Sequence, residues 1–324
     1  MYSYRYLNRG SVLIVTLWVL FMLAALALAI NALVWPQLNF AGRFKDRTEA
    51  LYAARSGVEK SIVKIATEKP SAFSALKEGW SRDEDAFRDV KAADAVFSLE
   101  GYGLIDEERK ININKAAQVV LKNSFVIIGE VDDHDASVIA ASIMDWRDPD
   151  DKPLENGAET GYYTGLERPY ACKNADFQVL DELLQVRGMT PEIFEKMKGY
   201  LTVYGLGAVN INTADATVLR CIGLSQALAD KIIEYRRGTD GKDSTEDDNV
   251  FDNVSTVIAT LSKAGKVSSE ELSQLSGVIS SGRITIRSDN FTGRSVGRAG
   301  NSGRSYGITF TFNRNGIVKL WRSD

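Results

Sequence analysis

Residues 210–237 have the sequence NINTADATVLRCIGLSQALADKIIEYRR, and this stretch decides the fold of the middle of the chain. Two segments with apolar residues at helical spacing flank a short turn, Ile222-Gly223-Leu224-Ser225. Glycine allows the positive φ that ends a helix, and serine caps the helix that follows. The stretch therefore predicts a helix-hairpin-helix.

The pattern recurs elsewhere in the chain. The motif Asn-Ile-Asn, followed by Ala and Val-Leu, occurs in residues 111–121 and again in residues 209–219. A second hairpin, residues 183–197, aligns with residues 218–232, so that the turn glycines and the hydroxyl caps match. Units of this kind bury their apolar faces by stacking on one another. We therefore predict an all-α domain of helix-hairpin-helix-like units over residues 111–277.

Whether such a hairpin binds DNA depends on its turn and its charge. A DNA-binding hairpin presents the amides of a Gly-x-Gly turn, beside basic side chains, to a phosphate. The turn at residues 222–225 has one glycine, the matching turn at residues 130–135 is acidic, and the chain carries a net charge of -4. These features favour a packing unit that binds no nucleic acid. The alternative is a membrane-anchored helix-hairpin-helix DNA-binding protein of a competence-type system.

The N-terminal segment is apolar over an unusual length. There is no charged residue from Ser11 to Gly42, a stretch of 32 residues, whereas a helix needs only ~20 to cross a bilayer core. We predict a transmembrane helix over residues 11–35 that continues as an amphipathic stem over residues 36–68. Basic residues on both sides leave its orientation open, and an Ala-Leu-Ala at residues 27–29 keeps a cleaved signal peptide as an alternative.

The apolar segment begins directly after a short basic leader that ends in Asn8-Arg9-Gly10. This arrangement resembles type IV prepilins, whose leader is removed after the glycine while the helix stays on the mature protein. The resemblance implies a leader over residues 1–10, cleavage between Gly10 and Ser11, and methylation of the new Ser11 amine. Most members of that superfamily have glutamate at the fifth mature position. Here that position is Val15, a departure typical of the minor pseudopilin protein K.

Strand patterns flank the helical middle. Residues 95–112 alternate well enough for a strand or hairpin, and residues 283–287 have a short β-branched run. Residues 306–312 and 317–321 flank Asn315-Gly316, which is a strong hairpin signal.

The segments between these strands have loop-like compositions. Residues 69–94 predict a polar linker, and residues 288–305, rich in glycine, serine and arginine, predict a mobile loop. The simplest α+β layout is a small head, built from residues 69–110 and 278–324, with the helical domain inserted into it.

Two acidic loops could hold a hard cation. Residues 145–159 and 240–252 combine several carboxylates with Gly and Asn, and Ca²⁺ takes ~6–8 oxygen ligands. Neither loop has EF-hand spacing, and a solvated acidic loop is the alternative for each. The predicted calcium ligands are Asp148, Asp150, Asp151 and Glu159 in the first loop, and Asp240, Asp243, Asp247 and Asp248 in the second.

Signals of an enzyme are missing from the sequence. It has no Cys/His ligand cluster, nucleophile elbow or phosphate-binding glycine loop, and the single histidine, His134, fits a surface position. We predict no enzymatic activity, with a membrane-tethered metal-dependent hydrolase as a remote alternative. Cys172 and Cys221 fit buried free thiols, with a bridge between them as the other possibility.

In their order along the chain, these pieces resemble the minor pseudopilin protein K family of type II secretion systems. The resemblance is carried by the leader and VLIVTLWVLFMLAALALA, by DWRDPDDKPLENGAETGYY, and by VNINTADATVLRCIGLSQALADKIIEYR. It implies a pilin-like α/β head on a long N-terminal helix, with a large helical insertion. It also implies calcium in the acidic loops.

The same resemblance implies a role and a location. Members of this family sit at the tip of a short pseudopilus with the minor pseudopilins I and J and other pseudopilins. There the protein would start or cap assembly, so that folded proteins cross the outer membrane. The resemblance further implies processing by a prepilin peptidase and contact with the inner-membrane secretion platform. The chain would be a single-pass inner-membrane protein with its C-terminal head in the periplasm.

Overall fold

A long N-terminal helix dominates the architecture. The computed structural model of the chain describes residues 9–68, 72–265, 267–300 and 302–323. Helix α1 (Arg9–Thr67) runs through Pro36 in one piece, and its most apolar part, with a mean hydropathy of 2.8, is long and apolar enough to cross a membrane. Residues 1–8 of the predicted leader lie outside the described residues.

The remaining elements follow in chain order. The helices are α2 (Glu84–Phe87), α3 (Gln118–Ile127), α4 (Asp133–Arg147), α5 (Thr160–Thr164), α6 (Pro191–Met197), α7 (Ala216–Cys221), α8 (Gln226–Arg236), α9 (Val257–Lys263) and α10 (Ser269–Ser280). The strands are β1 (Val90–Ala92), β2 (Ala95–Leu99), β3 (Ile105–Asp106), β4 (Ile111–Asn112), β5 (Leu201–Thr202), β6 (Val209–Asn210), β7 (Ile284–Thr285), β8 (Asn290–Ala299), β9 (Ser305–Asn313) and β10 (Val318–Ser323).

The second half of α1 packs on one antiparallel sheet. Its strand order is β1-β2-β8-β9-β10, and β3 also pairs with β8. The core between helix and sheet holds Ala54 and Val58 from the stem with Phe97, Phe291 and Phe310 from the strands. The chain thus has a mixed helix and sheet fold with a long apolar N-terminal helix.

Strand β8 shows that the predicted mobile loop at residues 288–305 is wrong. Small residues alternate along one face of β8, and α1 lies close against that face. A Cβ on Gly297 would lie 2.0 Å from the Ala50 carbonyl oxygen and 2.5 Å from the Ala54 nitrogen. Glycine is therefore required because helix and sheet backbones nearly touch here, although its frequency in the segment is typical of loops.

The predicted polar linker at residues 69–94 is also wrong for the residues described. Trp80 and Phe87 are fully buried in the sheet core, and Trp80 meets Phe291 edge to face with ring centroids 5.1 Å apart. Helix α2 and strand β1 lie in the same segment. Two large aromatic side chains offset its polar composition by burying apolar surface.

Other strand predictions are confirmed. The β9–β10 hairpin turns at Asn315-Gly316, where Gly316 has a φ of +79°, and β7 lies within residues 283–287. The run at residues 95–112 supplies β2, β3 and β4. Its first two strands each pair with β8 rather than with each other.

The helical middle consists of two units with the same internal arrangement. Unit one (residues 111–202) and unit two (residues 209–285) each begin with a short strand and close with a strand that pairs with it in parallel. These pairs are β4 with β5 and β6 with β7. Between its strands, each unit carries helical pairs joined by a glycine turn, as the hairpin repeats predict. The prediction of an all-α domain over residues 111–277 is wrong in two respects, because each unit is closed by a strand pair and unit two extends to residue 285.

Matching asparagines close each unit. In unit two, the Asn210 side chain accepts a hydrogen bond from the Asn212 amide (2.9 Å). The Asn212 side chain donates to the Phe251 carbonyl and accepts from the Phe251 amide, both at 2.9 Å. The corresponding residues in unit one, with the same bonds, are Asn112, Asn114 and Phe177.

A buried arginine completes the match. Arg236, at the end of α8, is 5% exposed and donates to the carbonyls of Ile211 and Ala214. In unit one the residues with the matching bonds are Arg147, Ile113 and Ala116. Because each arginine lies at the end of a helix that leads into an acidic loop, the two loops occupy equivalent positions in a duplicated unit.

The close helix–sheet contact gives a prediction. Gly297→Ala would drive a Cβ into the backbone of α1, and overpacking of this kind costs about 1–3 kcal/mol. Gly277→Ala is the control, since its Cβ meets nothing within 4 Å and alanine stabilises a helix interior by about 0.5–1 kcal/mol relative to glycine. Urea unfolding of the full chain in detergent measures both. Equal midpoints would contradict the close contact.

Candidate functional site

Three carboxylates meet where the first acidic loop folds back on the end of α4. One oxygen from each of Asp145, Asp148 and Glu159 lies within 4.8 Å of the others. Asp145 is in the last turn of α4, Asp148 is its C-cap, and Glu159 precedes α5. Within the described ranges, no second group of three His, Cys, Asp or Glu ligand atoms is this close.

Glu159 is the unusual member of the group. It is 4% exposed, and neither side-chain oxygen has a hydrogen-bond partner among the described residues. Burial, with the nearby charge of Asp145, Asp148 and Asp151, raises the pKa of Glu159 to about 7. Without a cation, the fold therefore loses stability as pH rises from 4.5 to about 7 and the carboxyl ionises.

Asp145 anchors the loop. It is fully buried and accepts from the Leu154 amide at 3.1 and 3.2 Å. Gly157 lies directly against it, since a Cβ there would be 1.9 Å from the Asp145 Oδ2. The Gly157 carbonyl in turn accepts from Arg187 (3.0 Å), so the second hairpin of unit one holds the loop. Burial raises the pKa of Asp145.

Two predicted ligands of the first loop belong to the group and two do not. Asp148 and Glu159 are in it. Asp150 and Asp151 are exposed, and their Oδ1 atoms accept from the amides of Lys152 (2.9 Å) and Thr160 (3.2 Å). Asp145 was missed as a ligand, although an aspartate three residues before Asp148 on one helix lies on the same face.

The second acidic loop is internally hydrogen-bonded. Asp243 pairs with Arg237 at 2.9 Å, and Asp247 accepts from the amide and hydroxyl of Thr239, both at 2.7 Å, which lowers its pKa. The other two predicted ligands accept from backbone amides: Asp240 from Lys242, and Asp248 from Ser244.

An arginine takes the place of a carboxylate in the second loop. Arg237 follows Arg236 as Asp148 follows Arg147, so the duplication puts a guanidinium where unit one has a metal-ligand candidate. The Arg237–Asp243 pair thus supplies one positive charge to the second loop from the protein itself. We therefore carry only the first loop forward as a candidate calcium site.

The turn of the opening hairpin faces inward. Gly223 has a φ of +115°, but the Ser225 amide donates to the Gln274 side chain (3.2 Å). The Ile222 carbonyl accepts from Arg283 (3.0 Å). A donor that a phosphate would need is thus already used inside unit two, which weakens the DNA-binding alternative.

The remaining reactive groups are structural. Cys172 and Cys221 are free and buried, so the alternative of a bridge between them is wrong. Burial raises the pKa of Cys172 to about 12 and that of Cys221 to about 11, which makes both thiols poor nucleophiles. His134 is exposed on the first turn of α4.

Sequence comparisons relate part of this chain to known proteins. The family model described as Type II secretion system (T2SS), protein K, matches residues 106–206, which are unit one and the segment leading into it. Type II secretion system protein K of Aeromonas hydrophila is 27% identical over 226 residues. That of Pectobacterium carotovorum subsp. carotovorum is 32% identical over 132 residues. Over these stretches the chain is similar to type II secretion protein K. These matches cover 63% and 38% of this chain.

The match to protein K sequences is partial, whereas the match in fold is broad. The chain spans 66% of the length of the Aeromonas relative, just under two thirds, and 39% of the Pectobacterium relative. A chain of the GspK-GspI-GspJ complex from the type 2 secretion system of enterotoxigenic Escherichia coli has a similar fold, with a TM-score of 0.62. The alignment covers 88% of this chain and 99% of that one at 17% identity, so the likeness concerns the fold.

Proposed function

We propose that this chain is a minor pseudopilin at the tip of the type II secretion pseudopilus, where it starts or caps assembly for export of folded proteins across the outer membrane. One observation carries the proposal: a helix-on-sheet head bears an inserted domain of two helical units. An insertion of this bulk would obstruct a further subunit stacked on the head. The chain is then a structural subunit and not an enzyme.

The N-terminal helix supports the same role. An apolar helix without a charged residue from Ser11 to Gly42 suits a single pass through the inner membrane. Because residue 15 is valine, the helix places no carboxylate in the bilayer at this position. A charge there would be costly without a partner. Prepilin peptidase would cut between Gly10 and Ser11, leaving Ser11 as the methylated N-terminus and the head in the periplasm.

The proposed partners are the minor pseudopilins I and J, other pseudopilins and the inner-membrane secretion platform. The similar fold in the GspK-GspI-GspJ complex supports the first two of these partners. No nucleic acid is proposed, because the hairpin turn uses the Ser225 amide internally.

We further propose that Asp145, Asp148 and Glu159 hold a calcium ion. The donor set is all carboxylate oxygen, which is the chemistry that Ca²⁺ prefers. Glu159 adds two buried oxygens with no hydrogen-bond partner among the described residues, and an unpaired buried carboxylate is costly. A divalent cation would offset both the desolvation of Glu159 and the repulsion among the three carboxylates.

The tip function is tested by blocking the maturation of the full chain. Gly10→Leu should prevent cleavage, so that mass spectrometry finds Met1 intact, the secreted proteins stay in the periplasm, and the chain no longer purifies with minor pseudopilins I and J. Asn8→Ala is the control and should give a mature chain that starts at Ser11. Normal secretion from a strain lacking the chain, or a mature chain starting near Asn31, would contradict the proposal.

Calcium binding is tested on the full chain in detergent by thermal unfolding with calcium and with chelator. Free calcium at 100-fold above Kd should add about 2.7 kcal/mol to the unfolding free energy. Glu159→Gln should raise the midpoint in chelator, because it removes a buried unpaired charge, and should lose most of the calcium increment. Glu155→Gln, exposed in the same loop, should keep it. An equal increment in both variants would refute this site.

A further inference from the structure

Strand β10 leaves one edge of the sheet open. It pairs with β9 alone, and outside that ladder no described residue hydrogen-bonds to the backbone of residues 318–323. A free edge of this kind presents alternating amides and carbonyls that can pair with a further strand.

Apolar side chains are exposed along this edge. Five of the six residues of β10 are exposed, and Val318 and Trp321 keep 40% and 45% of their surface accessible. Ile317, directly before the strand, is 60% exposed. An incoming strand would cover these side chains while it pairs with the backbone, the combination that strand addition uses for affinity and specificity.

The open edge is basic within an acidic protein. Residues 290–323 contain six Lys and Arg and no Asp or Glu, although the whole chain has a net charge of -4. On β10 itself, Lys319 and Arg322 are exposed, and Arg322 has no ion-pair partner among the described residues. This local charge favours an acidic partner.

A cavity adjoins the beginning of the strand. Its volume is about 500 Å³, and its wall holds two basic residues, Lys319 and Arg287, and two acidic ones, Glu108 and Asp289. Lys319 also donates to the Asn290 side chain (2.7 Å), which holds its ammonium group at the rim. The two acidic residues offset the two basic ones, so the charge preference of the edge comes from the exposed residues of the strand and not from the cavity.

A second copy of this chain is a poor occupant of the edge. Two copies related by a two-fold axis would pair their β10 strands antiparallel. In the register with the most overlap, Lys319 of each copy would lie opposite Arg322 of the other. Like charges directly opposite each other destabilise a strand pair.

We propose that the open edge of β10 binds an extended, acidic segment of a different protein by strand addition. The segment would pair with the backbone of residues 318–323, cover Val318 and Trp321, and place acidic side chains beside Lys319 and Arg322. Because this surface belongs to the sheet, binding at the β10 edge does not depend on the chain being at a pilus tip.

Hydrogen exchange on the full chain in neutral detergent tests this surface. The probes are two synthetic heptapeptides, Thr-Glu-Val-Glu-Val-Glu-Thr and the same sequence with lysine in place of glutamate. The glutamate peptide should slow exchange in residues 318–323, more weakly in high salt, and the lysine peptide should not. The chain with Lys319→Glu and Arg322→Glu should bind the glutamate peptide about tenfold more weakly and prefer the lysine peptide.

Two further variants guard against a folding artefact. Arg322→Glu alone, at an exposed residue, should show the same shift to a smaller degree. The control with Lys242→Glu and Lys263→Glu reverses two exposed charges elsewhere and should behave as the parent chain. No protection from either peptide, equal protection from both, or a dimer that disappears in the Lys319/Arg322 variant would each overturn the proposal.

Discussion

Three consecutive buried carboxylates, Asp106, Glu107 and Glu108, connect the sheet to both helical units. We call them the acidic triplet. Asp106 accepts from Asn210 of unit two (3.2 Å) and from the Ser288 hydroxyl (2.6 Å). Glu107 accepts from the Thr202 hydroxyl of unit one and from Lys110. Glu108 accepts from the amides of Asp289 and Asn290 at the start of β8 and from the Asn290 side chain. One short segment thus fixes three bodies relative to one another.

The charge of the acidic triplet is set by two opposing effects. Burial raises the pKa of Asp106 and raises that of Glu108 to about 7, while hydrogen-bond donors oppose the shift. Burial outweighs the amide and hydroxyl donors, so both carboxyls keep their protons to a higher pH than exposed carboxyls would. Removing one carboxylate would leave several buried donors unpaired, at about 1–3 kcal/mol for each group.

The duplication explains how one architecture carries two different loops. Both units keep the asparagine pair and the arginine at the end of a helix. Both also keep the phenylalanine whose backbone amide and carbonyl bond to the second asparagine. These bonds close the backbone of the unit. The loop after the arginine is free to differ. In unit one it gathers Asp145, Asp148 and Glu159, and in unit two Arg237 supplies a positive charge from the protein itself. The family model, which matches residues 106–206, covers the acidic triplet and unit one.

Local patterns predicted the elements whose causes are local. The membrane helix, the hairpin repeats and the Asn315-Gly316 turn follow from spacing and turn chemistry. Residues 288–305 were predicted wrongly because glycine is required there by close contact with the backbone of α1, which is distant in sequence. Asp145 was missed for a related reason, since its role depends on the loop that folds back over it. The hydrogen bond from the Ser225 amide to Gln274 could not be predicted either, because it depends on where α10 packs.

The acidic triplet couples the sheet to the helical units. Hydrogen exchange across a urea series on the full chain, with and without Asp106→Ala, measures this coupling directly. We expect β8 and unit two to lose protection together in the parent chain, and unit two to open at lower urea than β8 in the variant. Asp94→Ala, at an exposed position, should leave the two coupled. Coupled opening at the parental urea concentration in Asp106→Ala would contradict the account.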